Sequence, residues 1–407
     1  MTGQIILWAA VTIAAVIWLY MLVGHGQFWR ADQRLDADNP PAFPPLRDGD
    51  YPAVIALVPA RNEADVIAQS IGSIQAQDYP GSLSIVVTDD ASEDGTGDVL
   101  RGLGSPKHSL DVVAGTGPQA GWAGKLYALH QARHQALATH GKPVYWWLTD
   151  ADIAHDPGAL TRLVTQSEGG GHDLVSTMVR LRDDGRWPGL MIPAFIYFFQ
   201  MLYPFRLINK PTHPMAGAAG GCVLLRADAL ERVGGFDAYR DALIDDCSLA
   251  QVVKKTGGSL WLGLSQTQHS IRPYEGLGEI WRMVSRSAFT QLNYSVLQLL
   301  GTCIGMGLVF MAAPLATGVG MAQGLILGDW LLAVAGLTVW AMIAGAYVPM
   351  LRWYERPLWE AWLLPMVAFF YTLMTLDSAR RHWQGQGGTW KGRHQAGENT
   401  TKTVGSL

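Results

Sequence analysis

Two aspartates two positions apart, Asp150 and Asp152, follow the apolar run Val144-Tyr145-Trp146-Trp147-Leu148-Thr149. Where a buried strand ends, side chains at i and i+2 leave on the same face, so the pair can share one divalent cation. A cation held there would neutralise a departing diphosphate, which is chemistry on a nucleotide-activated donor. A solvated turn after a strand is the plain alternative. A second acidic pair, Asp245-Asp246, suits the complementary task. A carboxylate within reach of a hydroxyl can take its proton, and two like charges in a partly buried cleft raise at least one pKa toward neutrality. The competing role is a cap on the helical stretch 248–255, which suits Asp245 better than Asp246. Lys125 stands between Gly124 and the helical run 126–138. At such a helix start backbone N–H groups already favour phosphate.

These groups need a scaffold. The segment 54–59, Val-Ile-Ala-Leu-Val-Pro, is a continuous apolar run of strand length, and 64–75 has helical spacing with Ile67, Ile71 and Ile74 on one face. A second strand over 83–88 runs into Asp89-Asp90-Ala91-Ser92. Apolar strands alternating with helices predict an α/β fold, a mostly parallel sheet with helices on both faces. Such sheets bind ligands at the carboxyl ends of their strands, and the polar clusters at 59–63, 88–95 and 149–152 all fall there. A dinucleotide fold would place Gly-x-Gly-x-x-Gly after the first strand. Here that position reads Pro59-Ala60-Arg61-Asn62-Glu63, which argues against a dehydrogenase of that kind.

In chain order, Val58-Pro59-Ala60-Arg61-Asn62-Glu63, Thr88-Asp89-Asp90-Ala91-Ser92-Glu93-Asp94-Gly95-Thr96, Gly121-Trp122-Ala123-Gly124-Lys125, Thr149-Asp150-Ala151-Asp152 and Ile244-Asp245-Asp246 resemble the ordered motifs of family 2 glycosyltransferases with the GT-A fold. The resemblance covers about 52–290. An apolar anchor before this region and apolar helices after it make the whole layout most similar to the hopene-associated glycosyltransferases of bacteria. The resemblance implies that Pro59, Arg61 and Glu63 line a nucleotide pocket and that Asp90 binds the base or ribose. It implies further that Lys125 approaches the diphosphate, that Asp150 and Asp152 hold Mg or Mn, and that Gly220-Gly221-Cys222 borders the donor sugar. Asp246 would be the catalytic base, with Asp245 beside it. His269 could complete the metal shell as a late histidine does in related folds; a structural histidine is the alternative. Arg272, Arg282 and Arg286 could embrace the diphosphate or could serve membrane orientation. Processive members carry Gln-x-x-Arg-Trp near this point, whereas Met283-Val284-Ser285-Arg286-Ser287 has neither Gln nor Trp. That departure favours transfer of a single sugar, and one base without an evident nucleophile favours inversion. The rivals are an inactive GT-A scaffold or lipid-binding protein, a processive polysaccharide synthase, and a sugar-nucleotide pyrophosphorylase, whose Gly-rich basic signature is not seen.

The composition is 49% hydrophobic and 16% charged, against about 25% charged in ordinary soluble domains. The excess is concentrated. Residues 5–23 carry no charge and are long enough to cross about 30 Å of hydrocarbon; the absence of a preceding basic residue and of a cleavage site favours an uncleaved anchor at 1–24 over a signal peptide. A Pro-rich linker, 25–51, follows. The region 294–377 is apolar again, with breaks at Gly328-Asp329 and 352–357 that leave three spans, 294–319, 330–351 and 358–376. An aromatic, charge-poor stretch at 191–207 contains Pro193 and Pro204; buried core is one reading, and the expected one is a place at the membrane interface, where it would bring a lipid acceptor to the site. Arg30, Arg34, Arg282 and Arg286 put the domain between them in the cytoplasm, and the resemblance implies a bacterial inner membrane. One helix before it and three after it would leave the polar tail, 378–407, outside, although Arg380, Arg381, Lys391 and Arg393 prefer the inside. Either one stretch does not cross, or 294–327 crosses twice. A net charge of −4 without a dense basic run argues against nucleic acid. Cys222, Cys247 and Cys303 match neither a zinc pattern nor a disulfide framework and suit a reducing compartment.

Overall fold

The computed structural model describes residues 2–36, 38–39, 41–104, 107–385, 389–390 and 393–394. In chain order the elements are α1 (Thr2–Val23), β1 (Val54–Ala60), α2 (Ile67–Gln75), β2 (Leu83–Asp89), α3 (Thr96–Gly102), β3 (Ser109–Ala114), α4 (Gly124–His140), β4 (Tyr145–Thr149), β5 (Ile153–His155), α5 (Ala159–Gly170) and β6 (Leu174–Arg180). There follow α6 (Arg186–Leu202), α7 (Phe205–Ile208), β7 (Cys222–Arg226), α8 (Ala227–Arg232), α9 (Asp245–Lys255), β8 (Leu260–Ser270), α10 (Leu277–Gln291), α11 (Val296–Met306), α12 (Ala312–Leu327), α13 (Leu331–Trp353) and α14 (Leu364–Trp383). Two compact units emerge. The segments Asp32–Arg182 and Ile208–Pro273 form one, and Met1–Ala31, Asp183–Leu207 and Tyr274–Gly387 the other. The stretches 183–207 and 274–290, read from sequence as part of a 52–290 domain, thus group with the apolar helices.

The first of these units is built on an eight-stranded sheet in the order β3-β2-β1-β4-β7-β6-β8-β5. β1, β2, β3 and β4 pair in parallel, as do β6 and β8, whereas β7 and β5 run against their neighbours. Every residue of β1 and of β4 is buried. A strand covered on both faces must be apolar throughout, which is why neither shows alternation. On one face Val54, Ala56, Val58 and Ala60 share a core with Ile67, Ile71 and Ile74 of α2 and Leu160 and Leu163 of α5. The three isoleucines recur at helical spacing and are fully buried, each contributing about 1.5–3 kcal/mol of hydrophobic stabilisation. Ile55 and Leu57 point to the other face, and α4 packs on β1 and β2. The antiparallel insertion of β7 between β4 and β6 was not visible in the sequence. It sets Cys222 opposite Thr149 and so brings the Gly220-Gly221 turn to the carboxyl end of β4.

The other unit is helical. Among the described residues five stretches are long and apolar enough to cross a membrane: Gly3–Val23, Arg186–Ile208, Val296–Leu327, Leu331–Trp353 and Leu358–Trp383. Val296–Leu327 is one run, α11 and α12 joined through the π-helical turn Gly307–Met311. A helix without a reversal crosses at most once, so the double crossing considered for 294–327 is excluded. The indole of Trp18 donates to Val309 O at that widened turn (2.8 Å). α12 and α13 approach closely because Gly320 faces Ala333 and Gly336 faces Thr317, where a Cβ would collide with backbone. The 191–207 stretch lies mostly in α6, with Met191, Ile192, Ala194, Ile196 and Tyr197 fully buried. Tyr197 packs on Tyr347, and Phe198 on Phe310 and Tyr371.

Candidate active site

The loops after β1 and β2 are laced into one surface. Arg61 Nη1 donates to the carbonyls of Asp90 (2.6 Å) and Ala91 (2.9 Å). Asn62 N–H donates to Ser92 Oγ, Glu63 N–H to Thr96 Oγ1 and Glu93 N–H to Asn62 Oδ1, at 3.0, 2.8 and 2.9 Å. Asn62 and Ala91 both sit in the left-handed region, at φ 51°. For alanine that costs about 1 kcal/mol, and it turns the Ala91 carbonyl toward Arg61. Asp90 is fully buried at this junction. Asn62, Ser92 and Thr96 lie within the sequence motifs without an assigned role there; their polar side chains in the sharp loops are the signal that marks them.

A narrow cleft of about 20 Å³ lies at the carboxyl ends of β1 and β4. Its wall includes Pro59, Lys125, Thr149, Asp150, Gly220, Tyr239, Asp245 and Asp246. Six of these were expected from the sequence: Pro59, Lys125, Asp150, Gly220, Asp245 and Asp246. Tyr239 carried no sequence signal. Lys125 Nζ bridges Asp150 Oδ1 (2.8 Å) and Asp245 Oδ2 (3.2 Å). Burial opposes its charge, yet Asp150 and then Asp245 hold its pKa above the ordinary lysine value. Asp246 Oδ2 accepts from Gly220 N–H and Oδ1 from Cys247 N–H, both at 2.7 Å. Burial first, and the neighbouring Asp245 second, push the Asp246 carboxyl up to about 6; Lys125 and the two N–H groups pull it down. Asp246, not Asp245, therefore bonds the first turn of α9, while Asp245 reaches across to Lys125.

Asp152 lies under a different cation. Arg272 pairs with Glu63, with Asp65 at 3.4 Å and with Asp152 at 3.8 Å. Burial works against the guanidinium, and Glu63 and Asp65 raise its pKa again. The sequence motif thus splits between two basic side chains, Lys125 on Asp150 and Arg272 on Asp152. His269 pairs through its backbone with Ala154 of β5. Among the described residues no three His, Cys, Asp or Glu side chains gather closely enough to hold a metal. The expected shell of Asp150, Asp152 and His269 is therefore not preassembled, because both carboxylates are turned to basic partners. Arg282 and Arg286 belong to α10 in the helical unit, where Arg282 pairs with Glu279 at 3.7 Å. Gly221 backs onto Val179 and Ile153, while a Cβ on Gly220 would reach 3.2 Å from Asp246 Oδ2 and 3.3 Å from Lys125 Nζ.

The family model described as Glycosyl transferase family 2 matches residues 55–234. The chain carries a family 2 glycosyltransferase domain. Its fold is GT-A: the chain is similar to a mannosyltransferase from Pyrobaculum calidifontis solved in complex with GDP-Man and Mn2+, with TM-score 0.54 and 20% identity over 94% of this chain and 98% of that one. Glycosyltransferase AglE of Haloferax volcanii is 27% identical over 30% of this chain and 38% of its own length. The beta-monoglucosyldiacylglycerol synthase of Synechocystis is 35% identical over 30% of this chain and 26% of its own. The chain thus spans well under half the length of these two relatives. The matched region of the family model ends at residue 234, before Asp245 and Asp246.

Proposed function

We propose that this protein transfers one sugar from a nucleotide-diphosphate donor to a lipid hydroxyl, with inversion. The observation that carries this reading is the cleft in which Lys125, Asp150, Gly220 and Asp246 meet at the carboxyl edge of the sheet. The laced loops carrying Arg61, Glu63 and Asp90 would hold the nucleotide. Lys125 would approach the diphosphate, and Gly220, which has no side chain to fill the space beside Asp246, would leave room for the sugar. Asp246 would take the acceptor proton, a task for which a carboxyl raised to about 6 is matched at neutral pH. Asp150 and Asp152 offer only oxygen donors, which fits Mg or Mn, and Mg sites complete their shell with phosphate and water. When bound, such an ion would neutralise charge on the departing diphosphate. The similar mannosyltransferase was solved with GDP-Man and Mn2+, and the Synechocystis relative is named for a diacylglycerol product; both support a sugar nucleotide and a lipid. The layout resembles that of hopene-associated enzymes, which supports an acceptor in hopanoid metabolism. The inactive scaffold and the processive synthase are the outcomes that the test must separate.

The membrane topology that we infer has three crossings: α1, Val296–Leu327 and α13. α6 leaves the sheet after β6 and returns before β7, and these strands are hydrogen-bonded neighbours. A single crossing by α6 would strand them on opposite sides, which supports an interfacial α6. α14 is constrained by α10, which follows the sheet unit without an intervening span. Trp281 Nε1 donates to Asp377 Oδ2 (2.9 Å), Phe289 N–H to Ser378 Oγ (3.0 Å), and Phe289 meets His382 edge-on. The end of α14 then lies on the same side of the membrane as α10, and on this reading α14 does not cross. Arg30, Arg34, Arg282, Arg286, Arg352, Arg356, Arg380 and Arg381 all fall on one side in this arrangement, the cytoplasm by the positive-inside rule. Lys391, counted with them in the sequence, lies outside the described residues.

The test begins with thermal shift of the detergent-purified protein against a panel of nucleotide sugars with and without Mn, since a ligand of the folded state raises apparent stability. Lipid hydroxyls in detergent and in bilayers are then assayed as acceptors. Stabilisation by at least one sugar nucleotide, followed by turnover that needs a lipid, is expected. No stabilisation by any donor would overturn the enzyme reading, equal turnover of a small soluble alcohol the lipid reading, and repeated addition of sugar the single transfer. A C-terminal fluorescent reporter active only in the cytoplasm should light; a phosphatase reporter active at that end would overturn the topology.

A further inference from the structure

Thr149, the last residue of β4, and His155, on β5, flank the acidic loop at its base. Neither touches the wider solvent: they are 1% and 4% exposed. Thr149 Oγ1 donates to Gly221 O at 2.9 Å and lies 2.8 Å from His155 Nε2. A hydroxyl has one proton. With that proton on Gly221 O, the contact to His155 requires the imidazole to donate, which assigns the Nε2–H tautomer. Burial pushes the His155 pKa down to about 3, with His269 adding to the effect, and so keeps the ring neutral. Trp147 holds the ring edge-on at 4.7 Å. The loop is pinned from below as well: Ser70 Oγ donates to Ile153 O (2.8 Å) and His155 N–H to Ser73 Oγ (3.0 Å). His155 Nδ1 is buried without a hydrogen-bond partner. Such an orphan is costly and is retained where the ring's orientation matters more than its full satisfaction.

The next link is chemical. Gly221 is bonded to Thr149, and the adjacent Gly220 donates its N–H to Asp246 Oδ2 at 2.7 Å. One buried hydroxyl therefore ties three parts together: the strand end bearing Asp150, the diglycine turn, and the carboxylate proposed as base. We propose that Thr149, oriented by His155, is a positioning residue that fixes Asp246 and the diglycine turn relative to Asp150. It touches no reacting atom. Its effect is on geometry, where a displacement of about 1 Å in a reacting group can cost on the order of 100-fold in rate. The inference rests on the transferase reading above.

The test compares full-length wild type with Thr149→Val and Thr149→Ser in detergent. Valine keeps the volume and removes the hydroxyl; serine restores it. Thr149→Val is expected to lower kcat by about 10–100-fold while the donor KM stays within about threefold. Thr149→Ser should recover kcat to within about threefold of wild type, as a geometric role requires. Binding of the nucleoside diphosphate with Mn, measured by calorimetry, should be alike in all three. Should valine not fold, Thr149→Ala takes its place with the same serine control. Wild-type kcat in the valine variant, failure of serine to rescue, or a joint loss of kcat, nucleotide binding and melting temperature would each overturn the positioning role. A wild-type protein that neither binds nor turns over any sugar nucleotide would instead overturn the transferase reading.

Discussion

Asp246→Asn tests the site most sharply, because the rate should fall without a matching loss of stability. The rate effect follows from losing the proton acceptor. A positioned base supplies about 10²–10⁴-fold, or about 2.7–5.5 kcal/mol. The stability effect follows from the pKa. In the folded protein Asp246 is raised from 3.8 to about 6, so the fold favours its protonated form. That contribution is complete below the unfolded value near 3.8 and is lost as pH rises through about 6. Above that, the charged carboxylate costs at most about 3 kcal/mol, taking 1.36 kcal/mol per unit. Asparagine removes the charge but has one acceptor oxygen for two N–H groups, Gly220 and Cys247, and leaving one unpaired costs about 1–3 kcal/mol. The two terms nearly offset. Turnover should therefore fall by two to four orders of magnitude, on the order set by base catalysis, while the melting temperature at pH 7.5 holds or rises. At pH 5 any gain in stability should vanish. The assays are initial rates with saturating donor and thermal unfolding at the two pH values. Turnover within tenfold of wild type, or a melting temperature that falls in step with the rate at pH 7.5, would refute the reasoning.

Other outcomes follow from the same contacts. In the wild type, kcat/KM should fall tenfold per unit below the Asp246 pKa of about 6. Lys125→Met should move that limb to higher pH, since Lys125 lowers the Asp246 pKa, and should weaken donor binding; an unmoved limb contradicts the assignment. Gly220→Ala puts a methyl group 3.2 Å from Asp246 Oδ2 and should raise the donor KM about tenfold or more while sparing affinity for the bare nucleotide, as competition assays can show. Arg272→Ala should weaken metal-dependent nucleotide binding, measured by calorimetry, and Arg272→Lys should not restore it, because lysine lacks the planar fork that spans Glu63, Asp65 and Asp152.

Strand identity was legible in the sequence because it depends on near neighbours: β1 and, up to Thr149, β4 are apolar, as burial on both faces demands. The isoleucine spacing of α2 and the apolar runs of α1, α12 and α13 were legible for the same reason. So was the clustering of polar loops at one sheet edge, which parallel strands impose, and with it Pro59, Lys125, Asp150, Gly220 and Asp246 in one cleft. What the chain order could not reveal was pairing between distant segments. β7 enters the sheet antiparallel, and only that choice sets Gly220-Gly221 against Thr149 and Asp246. Which cation answers which carboxylate, Lys125 on Asp150 and Arg272 on Asp152, depends on side chains far apart in sequence. Whether an apolar helix crosses a membrane is equally non-local: hydropathy marks α6 and α14 as it marks α1, and the topology proposed above rests on the return of α6 to the sheet and on the bonds of α14 to α10. Residue type and period are set over a few positions, whereas topology is set by which surfaces bury one another.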